Sequence, residues 1–304
     1  MENASGHRSV LLDEAVSALM PERGGLYVDG TFGAGGHSRE LVRRLPEGGR
    51  VIALDVDPGA IEAGGGRLGP LAARVTLRRG NFARLPEILD GMGIGAVDGV
   101  LLDLGWSGLQ LEGKGMSFMR DEPLDMRLDP DLAVTAAGLV NGLPEKALAD
   151  TLFHLGGETE SRRVARAIVA ARPVTTTAEL ARIVEEGKGG RRGARIHPAT
   201  KTFQALRMRV NDEAGNLRAA LENIPGRLAP GGRLAVITFH SAEDRMVKNA
   251  FRSLSTPEKD PVTGQIVKEA GWKTLRDIAP SDAETGSNPR ARSARLRVLE
   301  RRAA

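Results

Sequence analysis

The first third of the chain alternates short, continuously apolar runs with stretches in which apolar residues recur at helical spacing. The apolar runs cover residues 26–29, 51–55, 75–77 and 97–103. Helical spacing fills residues 38–45 and 58–68 between them. Strands that are apolar along their whole length are typical of a parallel sheet, because helices cover both faces of such a sheet. The alternation therefore predicts an α/β fold built on a parallel sheet.

A long interruption separates this region from the next clear strand. Residues 233–239 are apolar and follow the turn-forming residues 230–232, PGG, but they come roughly 130 residues after the fourth run, far beyond an ordinary loop. A crossover between parallel strands needs only about a dozen residues. We therefore predict a domain inserted at residues 107–208, with residues 1–106 and 209–304 forming the sheet domain.

The inserted segment has helical patterning. Residues 145–155 carry apolar positions at helical spacing, and Pro144 is predicted as the first residue of that helix. Thr176 and Glu179 have the spacing of a capping box before another apolar stretch. The insertion is therefore expected to be helical. Beyond it, residues 293–302 alternate apolar residues with arginine, which predicts a last, half-exposed strand.

Composition excludes several kinds of chemistry. The chain has 304 residues and no cysteine, so disulfides, thiolate zinc sites, iron–sulfur clusters and a cysteine nucleophile are ruled out. Five histidines are scattered without an HxxxH pair, which disfavours a catalytic metal, so none is predicted, although carboxylates could still hold magnesium. The net charge of +4 is compatible with a nucleic-acid partner but is not specific for one. No segment reaches the roughly 18 apolar residues of a membrane span, so we expect a cytoplasmic protein.

The strongest local signal is a glycine-rich turn after the first strand. Gly30, Gly33, Gly35 and Gly36 fall within seven residues, directly before a helix. Glycines allow a ligand to approach the backbone closely, and amide groups at a helix N-terminus face such a ligand. The alternative is a tight turn that binds nothing, and four glycines make that alternative less favourable.

The acids that follow narrow the ligand class. A dinucleotide fingerprint GxGxxG would need a glycine where Ser38 stands, and no GxxxxGK[ST] phosphate loop is present. Asp55 ends the second strand, 19 residues after Gly36, where a carboxylate accepts hydrogen bonds from ribose hydroxyls. Because this arrangement serves NAD and S-adenosylmethionine alike, it predicts an adenosine-type ligand. Asp57 is interpreted as the N-cap of the helix that starts at Pro58.

Polar or aromatic residues also follow three other strands at the same predicted edge of the sheet, where ligands bind in such folds. Phe82 could stack on adenine or be one more core aromatic. Asp103 ends an apolar strand, which favours contact with a ligand over a turn cap. His240 could contact substrate, while the neighbouring Ser241 could cap the helix predicted at residues 242–254.

Several long motifs together resemble one family, the bacterial 16S ribosomal RNA cytosine-N4 methyltransferases of the MraW (RsmH) type. The matching stretches are residues 7–16 (HRSVLLDEAV), 29–38 (DGTFGAGGHS), 101–105 (LLDLG), 115–121 (GMSFMRD), 123–127 (PLDMR), 197–207 (HPATKTFQALR), 239–245 (FHSAEDR) and 288–293 (NPRARS). The resemblance runs from about residue 7 to the end.

The resemblance implies a class I, Rossmann-like methyltransferase sheet with an inserted helical substrate-recognition domain. It implies transfer of a methyl group from S-adenosylmethionine to the exocyclic N4 of a cytidine in the decoding region of 16S ribosomal RNA, within the small ribosomal subunit. By matching motif, the implied cofactor contacts are Gly35, Gly36, His37, Asp55, Phe82, Asp103 and Gln110.

Two stretches depart from the family pattern. Where the family reads DLGVSSPQLD, this chain has DLGWSGLQLE at residues 103–112, with Trp106, Gly108 and Leu109 at the changed positions. This weakens the assignment of Gln110. Where the family reads GEERFAxRIA, this chain has GETESRRVA from residue 157, which affects the expected surface of the inserted domain but not the cofactor site.

Methylation of the N4 amine of cytosine requires a residue that can accept a proton. The nitrogen lone pair is delocalised into the ring, so an acceptor near its N–H would help a proton to leave. Asp103, Asp125 and His240 are the candidates for this catalytic role.

Target bases would stack on Trp106, Phe118 or Phe239. The basic residues expected to hold phosphates, which predict salt-sensitive RNA binding, are Arg191, Arg192, Arg195, Lys201, Arg290 and Arg292.

Three other functions compete with this hypothesis. An NAD-dependent oxidoreductase would share the fold edge and Asp55, but the missing third glycine and the long insertion disfavour it. A non-enzymatic RNA-binding or assembly factor could keep a relic pocket, although the glycine turn with Asp55 and Asp103 is complete. Transfer of the methyl group to a protein or small molecule also remains open, as does the choice between a monomer and a homodimer.

Overall fold

The computed structural model describes residues 9–105, 113–190 and 196–303. The chain divides into two compact units. The first comprises Met1–Ser107 together with Gly215–Ala304, and the second is Gly108–Ala214. Among the described residues, no helix combines the length and the apolar character that crossing a membrane requires.

The first unit is built on a seven-stranded sheet with strand order β3-β2-β1-β4-β5-β9-β8. Its strands are β1 (Leu26–Asp29), β2 (Arg50–Asp55), β3 (Val75–Arg79), β4 (Val97–Asp103), β5 (Leu228–Thr238), β8 (Trp272–Thr274) and β9 (Arg295–Arg301). The strands from β3 through β5 pair in parallel, whereas β9 runs antiparallel to β5 and to β8. Strands β6 (Glu258–Lys259) and β7 (Ile266–Lys268) form a separate antiparallel pair.

Helices cover both faces of this sheet, as the apolar runs predict. The helices are α1 (Leu12–Leu19), α2 (Gly36–Arg44), α3 (Pro58–Leu68), α4 (Leu85–Asp90), α10 (Glu213–Asn223), α11 (Ser241–Ser255) and α12 (Asp282–Ser287). Neighbouring strand residues enter different apolar clusters: Val51 and Ala53 belong to one, Ile52 and Leu54 to the other. Successive side chains of a strand point to opposite faces, so each face has its own core. The predicted α/β fold is confirmed.

Two local predictions in the first unit need correction. Strand β5 begins at Leu228, not at residue 233, because residues 230–232 form an irregularity within the strand. Gly231 has φ +78°, and the register with β4 shifts between Val97 and Gly99. The second correction concerns α11, whose N-cap is His240 and not Ser241. The predicted Asp57 cap of α3 is confirmed, since its Oδ1 accepts from Gly59 N at 3.1 Å.

The second unit is helical around a separate apolar core. Its helices are α5 (Ala136–Gly142), α6 (Glu145–Gly156), α7 (Ser161–Ala170), α8 (Thr177–Gly187) and α9 (Thr200–Val210). Helix α7 buries Val164, Ala165 and Ile168 along one face, as helical spacing requires. The capping box of Thr176 and Glu179 is confirmed at α8. Pro144 is the N-cap of α6 and not its first helical residue.

Candidate functional site

The turn between β1 and α2 is fixed to the two strands beside β1. Gly30 N donates to Leu101 O of β4 at 2.9 Å, and Phe32 N donates to Leu54 O of β2 at 2.7 Å. These bonds anchor the turn at the carboxyl edge of the parallel strands, where ligands bind in open α/β sheets.

Glycine is required at specific points of this turn. Gly33 and Gly35 have φ +51° and +79°, a left-handed conformation that costs little only for glycine. Gly35 is also the N-cap of α2. A Cβ on Gly36 would lie 2.0 Å from Ser9 Oγ. At these glycines the turn therefore consists of backbone atoms alone, and α2 begins directly at its end.

Asp55 ends β2 next to the turn and is 5% exposed. Its Oδ2 accepts from Gly33 N at 2.7 Å and its Oδ1 from Asp57 N at 2.9 Å. Burial raises the pKa of Asp55 to about 6, although the two amides oppose this shift.

Asp103 ends β4 and faces His37 of α2. Its Oδ1 accepts from Gly105 N at 3.1 Å, and its Oδ2 lies 3.6 Å from His37 Nδ1. Its own N–H donates to Thr31 Oγ1 in the glycine turn at 2.7 Å. Burial raises the pKa of the Asp103 carboxyl, and His37 opposes that shift. Asp103 and His37 are therefore brought together directly beside the turn.

A third acid, Asp29, was overlooked in the sequence. It is fully buried at the end of β1. Its Oδ2 accepts from Ser38 Oγ at 2.6 Å, and its Oδ1 accepts from Thr31 N at 3.1 Å. Asp29 thus ties the turn to the first turn of α2 and acts as a support. The available signal was its position, since Asp29, Asp55 and Asp103 all end apolar strands.

Phe82 lies next to Gly30, the first glycine of the turn. It is half-buried and packs against the apolar cluster on one face of the sheet. A Cβ on Gly30 would come within 3.0 Å of Phe82 Cβ, so the two residues are neighbours. The structure therefore brings Gly35, Gly36, His37, Asp55, Phe82 and Asp103 to one edge of the sheet.

The residues after β5 lie at the same edge. A Cβ on Gly105 would meet the ring of Phe239 at 2.6 Å, so Phe239 packs beside the residue that donates to Asp103. His240 Nε2 lies 2.7 Å from Glu243 Oε1, and its Nδ1 faces Glu243 N at 3.5 Å. His240 is thus held against the first turn of α11.

Other candidate residues belong to the second unit. Both carboxylate oxygens of Asp125 accept from Arg127, at 2.7 Å from Nε and 2.9 Å from Nη2, and these bonds lower the pKa of Asp125. Phe118 stacks on His197, with ring centroids 4.2 Å apart. Lys201 Nζ donates to Gly157 O at 3.0 Å.

The remaining predicted residues divide into two groups. Arg290 and Arg292 are exposed, just before β9. The positions that lie outside the described residues are His7, Arg8, Trp106, Gly108, Leu109, Gln110, Arg191, Arg192 and Arg195.

The donor set of this edge suits an adenosine-type ligand with a charged tail. The Asp55 carboxylate is of the acceptor type that suits hydroxyl groups, the N-terminus of α2 suits an anion, and Asp103 lies beside the glycine turn.

Comparison with known proteins places the chain in a family. The model of the MraW methylase family matches residues 4–302. A protein from Magnetococcus marinus named ribosomal RNA small subunit methyltransferase H is 47% identical over 309 residues, covering 97% of this chain and 98% of that protein. Identically named proteins from Methylobacterium sp. (strain 4-46) and Syntrophobacter fumaroxidans are 48% and 44% identical, each over 97% of this chain and over 90% and 96% of their own lengths. The chain therefore belongs to the MraW methylase family, whose members are S-adenosylmethionine-dependent methyltransferases.

Proposed function

We propose that this protein transfers a methyl group from S-adenosylmethionine to the exocyclic N4 of a cytidine in the decoding region of 16S ribosomal RNA. The observation that carries the proposal is the glycine turn flanked by Asp55 and Asp103 in a chain of this family. The name shared by its relatives supports ribosomal RNA of the small subunit as substrate. The reaction would take place in the cytoplasm, on RNA within the small subunit.

The residues at the sheet edge would hold the cofactor by complementary chemistry. Asp55 would accept from the ribose hydroxyls, while the backbone of Gly35 and Gly36 would face the amino-acid end. Phe82 would border the adenine. The cofactor, when bound, supplies a methyl group already activated on a sulfonium. The protein therefore has to place the amine in line with that methyl group, a contribution of orientation and proximity.

The described contacts favour Asp103 as the proton acceptor. Asp125 is bound at both oxygens by Arg127 and its pKa is lowered, which makes it a weak base. His240 Nδ1 accepts from Glu243 N as the N-cap of α11, so this nitrogen is already engaged and is less suited to take up a proton. Asp103 keeps Oδ2 toward His37 at 3.6 Å, and burial raises the pKa of this carboxyl. A base of raised pKa takes up a proton more readily near neutral pH.

The helical second unit is proposed to recognise the RNA. The target base has to be unpaired or rotated out of its stack before its amine can be reached. Phe239 packs beside Gly105 and is half-buried, so it could border such a base. Phe118 already stacks on His197 and packs edge-on against Phe203, with ring centroids 5.3 Å apart, which makes it the weaker stacking candidate.

Nucleoside mass spectrometry tests the proposal. Small-subunit RNA from cells that lack the protein should lose one N4-methylcytidine, and the purified protein with S-adenosylmethionine should restore it. Unchanged nucleosides would contradict the assignment of the substrate, whereas a different modified nucleoside would contradict N4. Calorimetry with NADH would expose an oxidoreductase, and binding of RNA without methyl transfer would indicate an assembly factor.

A further inference from the structure

The N-terminal end of β9 lies at the cofactor edge of the sheet. Asp103 of β4 is in register with Ile237 of β5, and Ile237 is in register with Leu296 of β9. Neighbouring strands lie about 4.8 Å apart, so Leu296 is roughly 10 Å from Asp103. Arg295 pairs with Thr238, the last residue of β5, and therefore stands at the carboxyl edge of the parallel strands.

Cations exceed acids around this strand end. Arg297 binds both oxygens of Asp244 on α11, at 2.7 and 3.0 Å, and its Nη1 lies 3.9 Å from Asp277. Lys248 follows Asp244 by four residues on α11 and so lies one helical turn along the same face. Arg295 lies two residues before Arg297 on β9 and so shares its face of the sheet, and Arg292 precedes Arg295 by three residues. Arg292, Arg295 and Lys248 are all exposed. Glu243, the neighbouring acid, is buried against His240.

We propose that Arg292, Arg295 and Lys248 form a phosphate-binding surface for the RNA strand that carries the target base. This inference rests on the proposed RNA substrate. Arginine and lysine side chains are the usual contacts to phosphate oxygens. The surface borders the cofactor edge of the sheet, where the target base must arrive. Because an RNA strand that enters this site would pass over the surface, an RNA backbone is favoured over an acidic protein as its partner.

The test compares two triple variants that lose the same charge. One combines Arg292→Gln, Arg295→Gln and Lys248→Gln. The control combines Arg23→Gln, Arg50→Gln and Arg302→Gln, which are also exposed but lie at the opposite, amino edge of the parallel strands. Binding of a fluorescent single-stranded oligoribonucleotide from the small-subunit RNA is measured across a salt series.

Loss of three phosphate contacts should lower the slope of log affinity against log salt by about 2. We expect the first variant to show that loss and to bind RNA at least about 10-fold more weakly at low salt, while the control keeps the wild-type slope. Both should bind S-adenosylmethionine like the wild type. Arg295→Lys, which keeps the charge, should retain the slope and thereby separate charge from folding.

If the two triple variants show equal slopes of log affinity against log salt, the assignment of this surface to phosphate binding is wrong. The proposed function still stands in that case if methyl transfer persists. If the first variant binds RNA normally but loses association with an acidic ribosomal protein, the surface serves a protein and the RNA assignment is wrong. If the wild type itself neither binds nor methylates this RNA, the proposed function fails together with the surface.

Discussion

His37 Nδ1 faces Asp103 Oδ2 at 3.6 Å, while the other ring nitrogen of His37, Nε2, lies 3.2 Å from Val10 O. A carbonyl oxygen only accepts hydrogen bonds, so Nε2 carries the proton. Nδ1 is thereby left to face the carboxylate, and it forms an ion pair with Oδ2 when the imidazole is protonated. His37 thus positions the Asp103 carboxylate beside the glycine turn.

Replacing Asp103 with asparagine should separate cofactor binding from proton acceptance. The amide side chain introduced by Asp103→Asn can still accept from Gly105 N, so the local structure is retained. We expect cofactor affinity to fall about 10-fold, the loss of one charged hydrogen bond. At saturating cofactor, kcat should fall by a further factor of about 100 or more. Calorimetry and single-turnover methyl transfer measure the two effects.

The control is Asp98→Asn, at the other end of the same strand, where the side chain accepts from Leu26 N at 2.8 Å. It should leave both quantities near the wild-type values. An unchanged kcat in Asp103→Asn would restrict Asp103 to cofactor contact and remove it as the proton acceptor.

Cofactor affinity should depend on pH through Asp55. Its pKa of about 6 means that the carboxyl is largely protonated at pH 5 and ionised at pH 7. Only the ionised form offers all its lone pairs to ribose hydroxyls, so affinity should rise as pH increases through about 6 and level off above it. Titration calorimetry from pH 5 to 8 measures this, and Asp55→Asn should flatten the profile. A profile with the same rise in that variant would assign the dependence to another group.

A methyl group at Gly36 should disturb the turn. In Gly36→Ala the added Cβ would lie 2.0 Å from Ser9 Oγ, so Ser9 or the helix must move, at a cost of about 1–3 kcal/mol in folding stability. Gly65→Ala is the matched control, because that helical position has open space around it and should gain up to about 1 kcal/mol. Chemical denaturation measures both. Equal stability changes in the two variants would contradict the close packing of Gly36 on Ser9.

The second unit should depend on a buried ion pair. Lys188 Nζ bonds Glu158 Oε2 and also donates to Pro198 O at 2.8 Å, and Glu158 is 2% exposed. Lys188→Met would leave that carboxylate buried without a cation, which destabilises by about 3–5 kcal/mol. Adding Glu158→Gln removes the charge and should restore much of the stability. Chemical denaturation, followed with a probe in the second unit, measures the stability of each variant. A Lys188→Met variant as stable as the wild type would contradict the prediction.

The strands were predictable where the pattern is uniform. The runs at residues 26–29 and 97–103 coincide with β1 and β4, because strands buried on both faces must be apolar throughout. Strands β6, β7 and β8 were missed, since each has two or three residues and is mostly exposed. The start of β5 was missed because Pro230 and its glycines resemble a turn and instead lie within the strand.

The sequence predicted which strand ends form the candidate site, but it did not predict which side chains contact each other there. Nothing in the residue pattern indicates that Asp29 supports the turn while Asp103 faces His37, because all three acids end similar strands. Asp125 remained a candidate proton acceptor in the sequence analysis for a related reason. Its contact with Arg127 arises in a loop where Met126 has φ +64°, and residue periodicity carries no information about such a bend.

The proposed activity requires that one S-adenosylmethionine molecule lies between the glycine turn, Asp55 and Asp103. A crystal structure of the protein with S-adenosylhomocysteine tests this most directly. We expect ribose hydroxyls within hydrogen-bond distance of Asp55 and the amino-acid end of the ligand beside Gly35, Gly36 and Asp103. Ligand density at any other place, with this edge of the sheet left empty, would contradict it.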